Sequence, residues 1–191
     1  MGKATGPTYT VPFRRRRQSL TNYAKRLALL KSMKPRMVVR KSNRNVLVHF
    51  VSYAENGDAT VAVANSRELA KFGWHCCGNT PTAYLTGLLA GRRAKEKGVA
   101  EFVPDIGLAT PSKGAVVFAA IKGAIDAGLK TKYEEGMVDE KRIRGEHVAK
   151  YAGSLKGKPE YDKIFSSYLK ANIQPENIPA MFDKVKEEIM K

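Results

Sequence analysis

The first 45 residues hold 13 lysines and arginines and not one aspartate or glutamate. Such a block repels itself and cannot condense into a core of its own. It has to be laid over a folded body, and it needs a polyanion to settle it. Nucleic acid is the commonest such partner, because each phosphate that is neutralised releases condensed counterions. The imbalance is local. Residues 46–155 carry 14 basic and 12 acidic side chains and residues 156–191 carry 7 and 6, so most of the net charge of +16 lies in the first quarter.

The remainder is a globular sequence. Hydrophobic residues make up 43% of the 191, and a chain of this length buries roughly 70% of its unfolded surface. The longest apolar run, Ala115–Ile121, is far too short to span a bilayer, so no membrane partner is expected. The only cysteines, Cys76 and Cys77, are adjacent, which excludes a disulfide framework and fits a reducing compartment. A secretory signal would need an apolar stretch after Arg14–Arg17, where Gln18, Ser19, Thr21 and Asn22 follow instead. An organellar presequence shares the Arg-rich composition, but the leader is expected to be retained as part of the folded protein.

Residues 1–18, with Gly2, Gly6, Pro7 and Pro12, read as an extended arm. Leu20, Tyr23, Leu27 and Leu30 fall on one face of a helix with Ser19 as N-cap and Pro35 barring continuation. Its other faces carry Lys25, Arg26 and Lys31. Residues 36–41, 45–54 and 58–65 predict three strands in an antiparallel meander, with Asn56-Gly57 as a hairpin signal. A short helix follows at 66–72, capped by Asn65 with Glu68 at the capping-box position. Thr80-Pro81 opens a helix to about Lys97, a short strand lies within Val99–Leu108, and helices are predicted over 112–128 and 139–152. The fold class is therefore α/β: a mixed sheet made of the meander followed by β-α-β-α units, covered by helices. Gly153, Gly157 and Pro159 mark a linker to a helical tail, whose stripe Tyr161, Ile164, Phe165, Tyr168 and Leu169 must pack on the body or on another protein. Phe182, Val185 and Ile189 mark a last helix. Three parts are expected: a basic arm and helix over 1–35, a core over 36–155 and an extension over 156–191.

No catalytic constellation emerges. The Gly-Lys-Ser/Thr order of a P-loop never occurs, and Gly87 with Gly91 suits close helix packing. His75-Cys76-Cys77 lacks the spacing that lets two sulfurs converge on zinc. His49 and His147 lie far apart and read as buried or hydrogen-bonded side chains. Asp105, at a strand end, could be the first ligand of a metal-dependent nuclease, with Asp58, Asp126 and Asp139 as further acids, but no spacing brings them together. Asp126 reads better as a helix-surface residue and Asp139 as an N-cap. Neither a metal nor a cofactor is expected. What remains is Arg14–Arg17, flanked by Tyr9, Phe13 and Tyr23. Guanidinium groups pair phosphates bidentately, and aromatic rings stack on unpaired bases, a combination suited to folded RNA.

These residues resemble a known family. The stretches GPTYTVPFRRRRQSLTNYAKRLALLKSMKPRMVVRKSNRNV, GNTPTAYLTGLLAGRRAKEKG, DIGLATPSKGAVVFAAIKGAIDAGL and RIRGEHVAKYA, within residues 5–152, are similar to the archaeal and eukaryotic branch of ribosomal protein L-eighteen. That large-subunit family binds 5S ribosomal RNA, and its eukaryotic counterpart is called L-five. The short tail favours an archaeal chain. The resemblance implies a ribonuclease-H-like sheet without catalytic metals and a non-enzymatic role in the cytoplasmic ribosome. It implies as partners 5S rRNA, the large (23S-type) rRNA of the central protuberance and neighbouring ribosomal proteins, including the other 5S-associated one. It carries the RNA-binding role onto Arg14, Arg15, Arg16, Arg17, Tyr23, Lys25, Arg26 and Lys31, and then onto Arg36, Arg40, Lys41, Ser42, Asn43 and Arg44. Ser112, Lys113 and Gly114 form a loop opening a helix where a phosphate would suit. Arg142, Arg144 and His147 match the family without an assigned role, and the Cys76-Cys77 pair departs from its pattern. The alternatives are a metal-dependent nuclease of ribonuclease-H-like fold and a non-ribosomal DNA- or RNA-binding regulator.

Overall fold

A computed structural model describes residues 6–191; the first five residues of the expected arm, Gly2 among them, lie outside the described residues. The sheet is built from β1 (Arg36–Lys41), β2 (Val46–Ser52), β3 (Ala59–Asn65) and β4 (Val103–Asp105), in the order β3-β2-β1-β4. The first three strands pair antiparallel and β4 joins β1 in parallel, which is the mixed sheet expected. Strand alternation sorts the side chains. Met37, Val39, Val46, Val48, Phe50, Ala62 and Ala64 are buried on the inner face, whereas Arg36, Val38, Arg40, Leu47 and His49 alternate with them toward the outer face. The β1–β2 connection is the four-residue turn 42–45. The β2–β3 loop over 53–58 is longer than Asn56-Gly57 alone requires, with the Gly57 amide donating to the Ala54 carbonyl.

Two helices cover the inner face. α3 (Thr80–Glu96) starts from Asn79, whose side chain accepts from the Thr82 amide, one residue before the expected cap. α4 (Val116–Asp126) is shorter than the predicted 112–128. Residues 112–115 turn rather than coil, because Gly114 adopts a φ of 77° and donates to the Met137 carbonyl. The helices approach closely: a Cβ on Gly87 would stand 1.9 Å from the Ala120 carbonyl oxygen. Only a residue without a side chain permits that distance. The expected capping box of Asn65 and Glu68 is present, on a 3-10 helix over Ser66–Phe72.

α3 also covers the edge of the sheet. The Arg93 and Lys97 side chains donate to the carbonyls of Val63 and Val61 on β3.

The helix predicted over 139–152 is two, α5 (Glu140–Arg144) and α6 (Glu146–Leu155), broken at Gly145 with a φ of 83°. Asp139 caps α5 as expected. The tail comprises α7 (Pro159–Ile164), α8 (Ser166–Lys170) and α9 (Ile178–Met190). The single amphipathic helix expected over 161–169 breaks at Phe165, which is buried against Ala152 and Leu155. α9 packs on the body: Ile178, Phe182, Val185 and Ile189 join the main core, and the Phe182 ring lies 5.4 Å from Tyr84 and 6.2 Å from Trp74.

Candidate nucleic-acid interface

The outer face of the sheet places arginines beside carboxylates. Arg36 Nη1 lies 2.8 Å from Asp105 Oδ2, and Arg36 Nη2 donates to Asp58. Arg40 Nη2 reaches Asp105 Oδ1 at 3.0 Å and its Nη1 donates to the Asp105 carbonyl. Arg26 grips both oxygens of Asp58, at 2.9 and 3.0 Å. The result is a chain, Arg26–Asp58–Arg36–Asp105–Arg40, that runs from the first long helix across the sheet. Arg36 is 2% exposed, so the expected RNA contact at this residue is corrected. Its guanidinium is spent on two carboxylates inside the protein, and it can only position its neighbours. Arg26 and Arg40 keep part of their surface open.

The same chain disposes of the carboxylates weighed for metal. Asp58 and Asp105 each accept from two arginines, and Asp105 also accepts from the Gly107 amide. Asp126 is half-buried at the end of α4 and accepts from the Tyr84 hydroxyl at 2.6 Å, while Asp139 is a helix cap. Among the described residues, no three His, Cys, Asp or Glu side chains converge as metal ligands.

The leader is not wholly extended. Arg14–Arg17 form a single helical turn, α1, and successive residues about 100° apart on a helix send four guanidinium groups in different directions. Arg15 Nε donates to the Thr21 hydroxyl, and the Phe13 and Tyr23 rings lie 5.2 Å apart, so the leader folds back on the next helix. That helix, α2 (Tyr23–Leu30), is capped by Asn22 rather than the expected Ser19, which takes a φ of 53°. No residue of α2 is buried. Its expected docking stripe faces outward in part: Leu20 and Leu27 are more than half exposed. The helix is held to the sheet by Arg26 on Asp58, with Leu29 turned to the cleft beneath it. Tyr9, Arg14, Arg16, Arg17, Lys25 and Lys31 are exposed, and none of these five cations pairs with an acid among the described residues.

α2 and the sheet enclose a cleft of about 770 Å³, lined by Arg15, Tyr23, Lys25, Arg26, Arg36 and Arg40 among others. Residues from the arm, α2 and β1 therefore meet. The turn bearing Lys41, Ser42, Asn43 and Arg44 stands apart from this cleft. There the Ser42 hydroxyl is used up on Asn45, while Lys41 and Arg44 stay exposed without an acidic partner among the described residues. Ser112 and Lys113 are also exposed, on the loop before α4. Asp58 and Asp105 were missed as arginine partners. The signal was Arg36 and Arg40 flanking an apolar strand, where a cation turned toward the fold needs an acid.

The cysteines have structural surroundings. Cys76 donates to the Ser66 carbonyl, and burial pushes both thiols up, away from the reactive thiolate. His75 packs on Tyr168 at 4.9 Å. Of the other family-matching residues, Arg144 pairs with Asp183, whereas Arg142 has no partner among the described residues.

Residues 7–104 match the family described as ribosomal large subunit proteins 60S L5 and 50S L18. The large ribosomal subunit protein uL18 of Ignicoccus hospitalis is 50% identical over 192 residues, covering 98% of this chain and 94% of that protein.

Proposed function

The chain belongs to the family of ribosomal large subunit proteins 60S L5 and 50S L18, a structural constituent of the cytoplasmic ribosome and not an enzyme, and we propose that within the subunit it binds 5S ribosomal RNA. In this reading it fastens 5S rRNA to the large rRNA in the central protuberance, beside the other 5S-associated protein. Residues 1–35 serve as the binding arm, 36–155 as its mount and 156–191 as an extension.

One observation carries the reading. The acid-free leader keeps Arg14, Arg16, Arg17, Lys25 and Lys31 exposed, with no carboxylate among the described residues paired to them. Phosphates supply the missing charge, while Tyr9, Phe13 and Tyr23 offer faces on which unpaired bases stack. Arg40, Lys41, Asn43, Arg44 and Lys113 extend the same surface, with Ser42 and Gly114 shaping its turns. Arg26 acts twice: it anchors α2 and leaves part of its guanidinium to solvent. An arm held by so few internal contacts settles fully when RNA is bound, its ordering cost offset by phosphate contacts.

The test is competition at fixed salt between an archaeal 5S rRNA transcript and duplex DNA of equal charge for the full chain. At least tenfold preference for the transcript is expected. Equal affinity would overturn the reading in favour of a general nucleic-acid binder.

A further inference from the structure

Given the assignment of the leader and α2 as the RNA-binding arm, on which this rests, we propose that Asp58 is its positioning residue: one carboxylate holds α2 over the sheet, so a surface made for a polyanion depends on a negative charge at its root. Little else holds the helix. No residue of α2 is buried, and Leu20 just before it and Leu27 within it are more than half exposed, so apolar packing contributes little. No backbone hydrogen bond joins residues 6–34 to the rest of the described chain. Among the described residues, the side-chain hydrogen bonds leaving this segment come from two residues. Arg26 Nη2 donates to both Asp58 oxygens, at 3.0 and 2.9 Å, and Lys34, past the end of the helix, donates to Glu101.

Asp58 can hold α2 because it is itself held. It ends the β2–β3 loop and accepts from Arg36, whose side chain is buried. An isolated surface ion pair contributes little, since two mobile side chains must be ordered to make it. Here the buried Arg36 fixes the carboxylate beforehand, and Arg26 meets an acceptor already in place. Both guanidinium groups bond the same oxygen, Asp58 Oδ2. Without its charge, two cations face each other across a neutral side chain and repel. α2 then leaves the sheet, and Tyr23, Lys25 and Lys31 lose their placement relative to the cations of β1. The effect on binding is opposite in sign to simple electrostatics. Removing a negative charge from a protein of net charge +16 should by itself tighten its hold on a polyanion. Loss of position weakens it.

The test measures affinity of the full chain for a 5S rRNA transcript across a salt series. Asp58→Asn should weaken binding at least fivefold and flatten the salt slope by about one unit, the loss of one phosphate contact. Asp126→Asn makes the same change of charge at a carboxylate that bonds Tyr84 outside the arm, and should bind as tightly as the parent or more so. Asp58→Glu, which keeps the charge, should recover most of the loss. In an Arg26→Gln background Asp58→Asn should weaken binding no further, because the tie is already cut. A loss that persists there would place the effect in Arg36 and the sheet, and would overturn the proposal, as would an Asp58→Asn chain that binds as tightly as the parent. A second measurement needs no RNA. Trypsin should cut after Lys25 at least threefold faster in Asp58→Asn and in Arg26→Gln, the latter at a residue open enough to be replaced without disturbing the core; unchanged cleavage in both also overturns the proposal. The ratio of variant to parent is read on one transcript whether or not the parent prefers it to duplex DNA, so failure here is distinct from failure of the 5S reading.

Discussion

Arg36 on β1 and Asp105 on β4 form a buried ion pair, 2.8 Å between Nη1 and Oδ2, at the seam where the antiparallel meander meets the parallel strand. Removing Arg36 takes from Asp58 and Asp105 one of the two arginines that each accepts from, leaving Arg26 and Arg40 to hold them. Arg36→Ala is expected to lower unfolding free energy by about 1.5–3 kcal/mol, the scale of a hydrogen bond to a charged group. Arg44→Ala, at an exposed residue without a partner, should stay within about 0.5 kcal/mol of the parent. Urea denaturation of the two variants checks this; equal stabilities would mean that Arg36 is solvated.

The leader makes a different prediction, one of slope. Replacing Arg14–Arg17 by alanine should flatten the dependence of log affinity on log salt by up to about three units, because each lost phosphate contact removes nearly one. Filter binding of 5S rRNA across a salt series measures it. An unchanged slope would show that these arginines do not touch phosphate.

Two glycines on helices should respond in opposite directions. A Cβ on Gly87 would fall 1.9 Å from the Ala120 backbone, whereas one on Gly153 of α6 meets nothing within 4 Å. Gly87→Ala is therefore expected to cost about 1–3 kcal/mol by forcing α3 from α4. Gly153→Ala should gain about 0.5–1 kcal/mol by restricting the unfolded chain. Thermal melts of both variants decide it, and a stabilising Gly87→Ala would contradict the packing.

Acidification should destabilise the fold through its histidines. Burial holds His49, His75 and His147 below their ordinary 6.5, with Arg40 adding to the effect at His49 and Arg142 at His147. The folded chain thus binds fewer protons than the unfolded chain just below 6.5. Stability from this source is complete above the unfolded value and is lost as pH falls through the folded ones. The urea midpoint should drop between about pH 7.5 and pH 5.5, in the range where histidine titrates. The drop should shrink when all three are changed to glutamine, and an undiminished drop would assign it to other groups.

The three meander strands were legible because short apolar, valine-rich runs there are bounded by turn residues. The Asn65–Glu68 box and the Asp139 cap were legible because each bonds within three residues. What could not be read were relationships over long separations. Arg36 was grouped with the RNA-binding cations because its carboxylate partners lie 22 and 69 residues away. The leucine stripe of α2 pointed to apolar docking, while the helix is in fact tied down by Arg26, a residue that periodicity counts as outward-facing. The start of α4 was misplaced because Gly114 turns to bond Met137, a segment the local pattern does not include.

A protein of the large ribosomal subunit must first exist outside it. The outermost strand of its sheet would ordinarily offer a row of vacant acceptors to any passing chain. In this molecule Arg93 and Lys97 already occupy two of them, at Val63 and Val61. The newly made subunit component thereby carries its own guard against clumping during the interval between synthesis and incorporation.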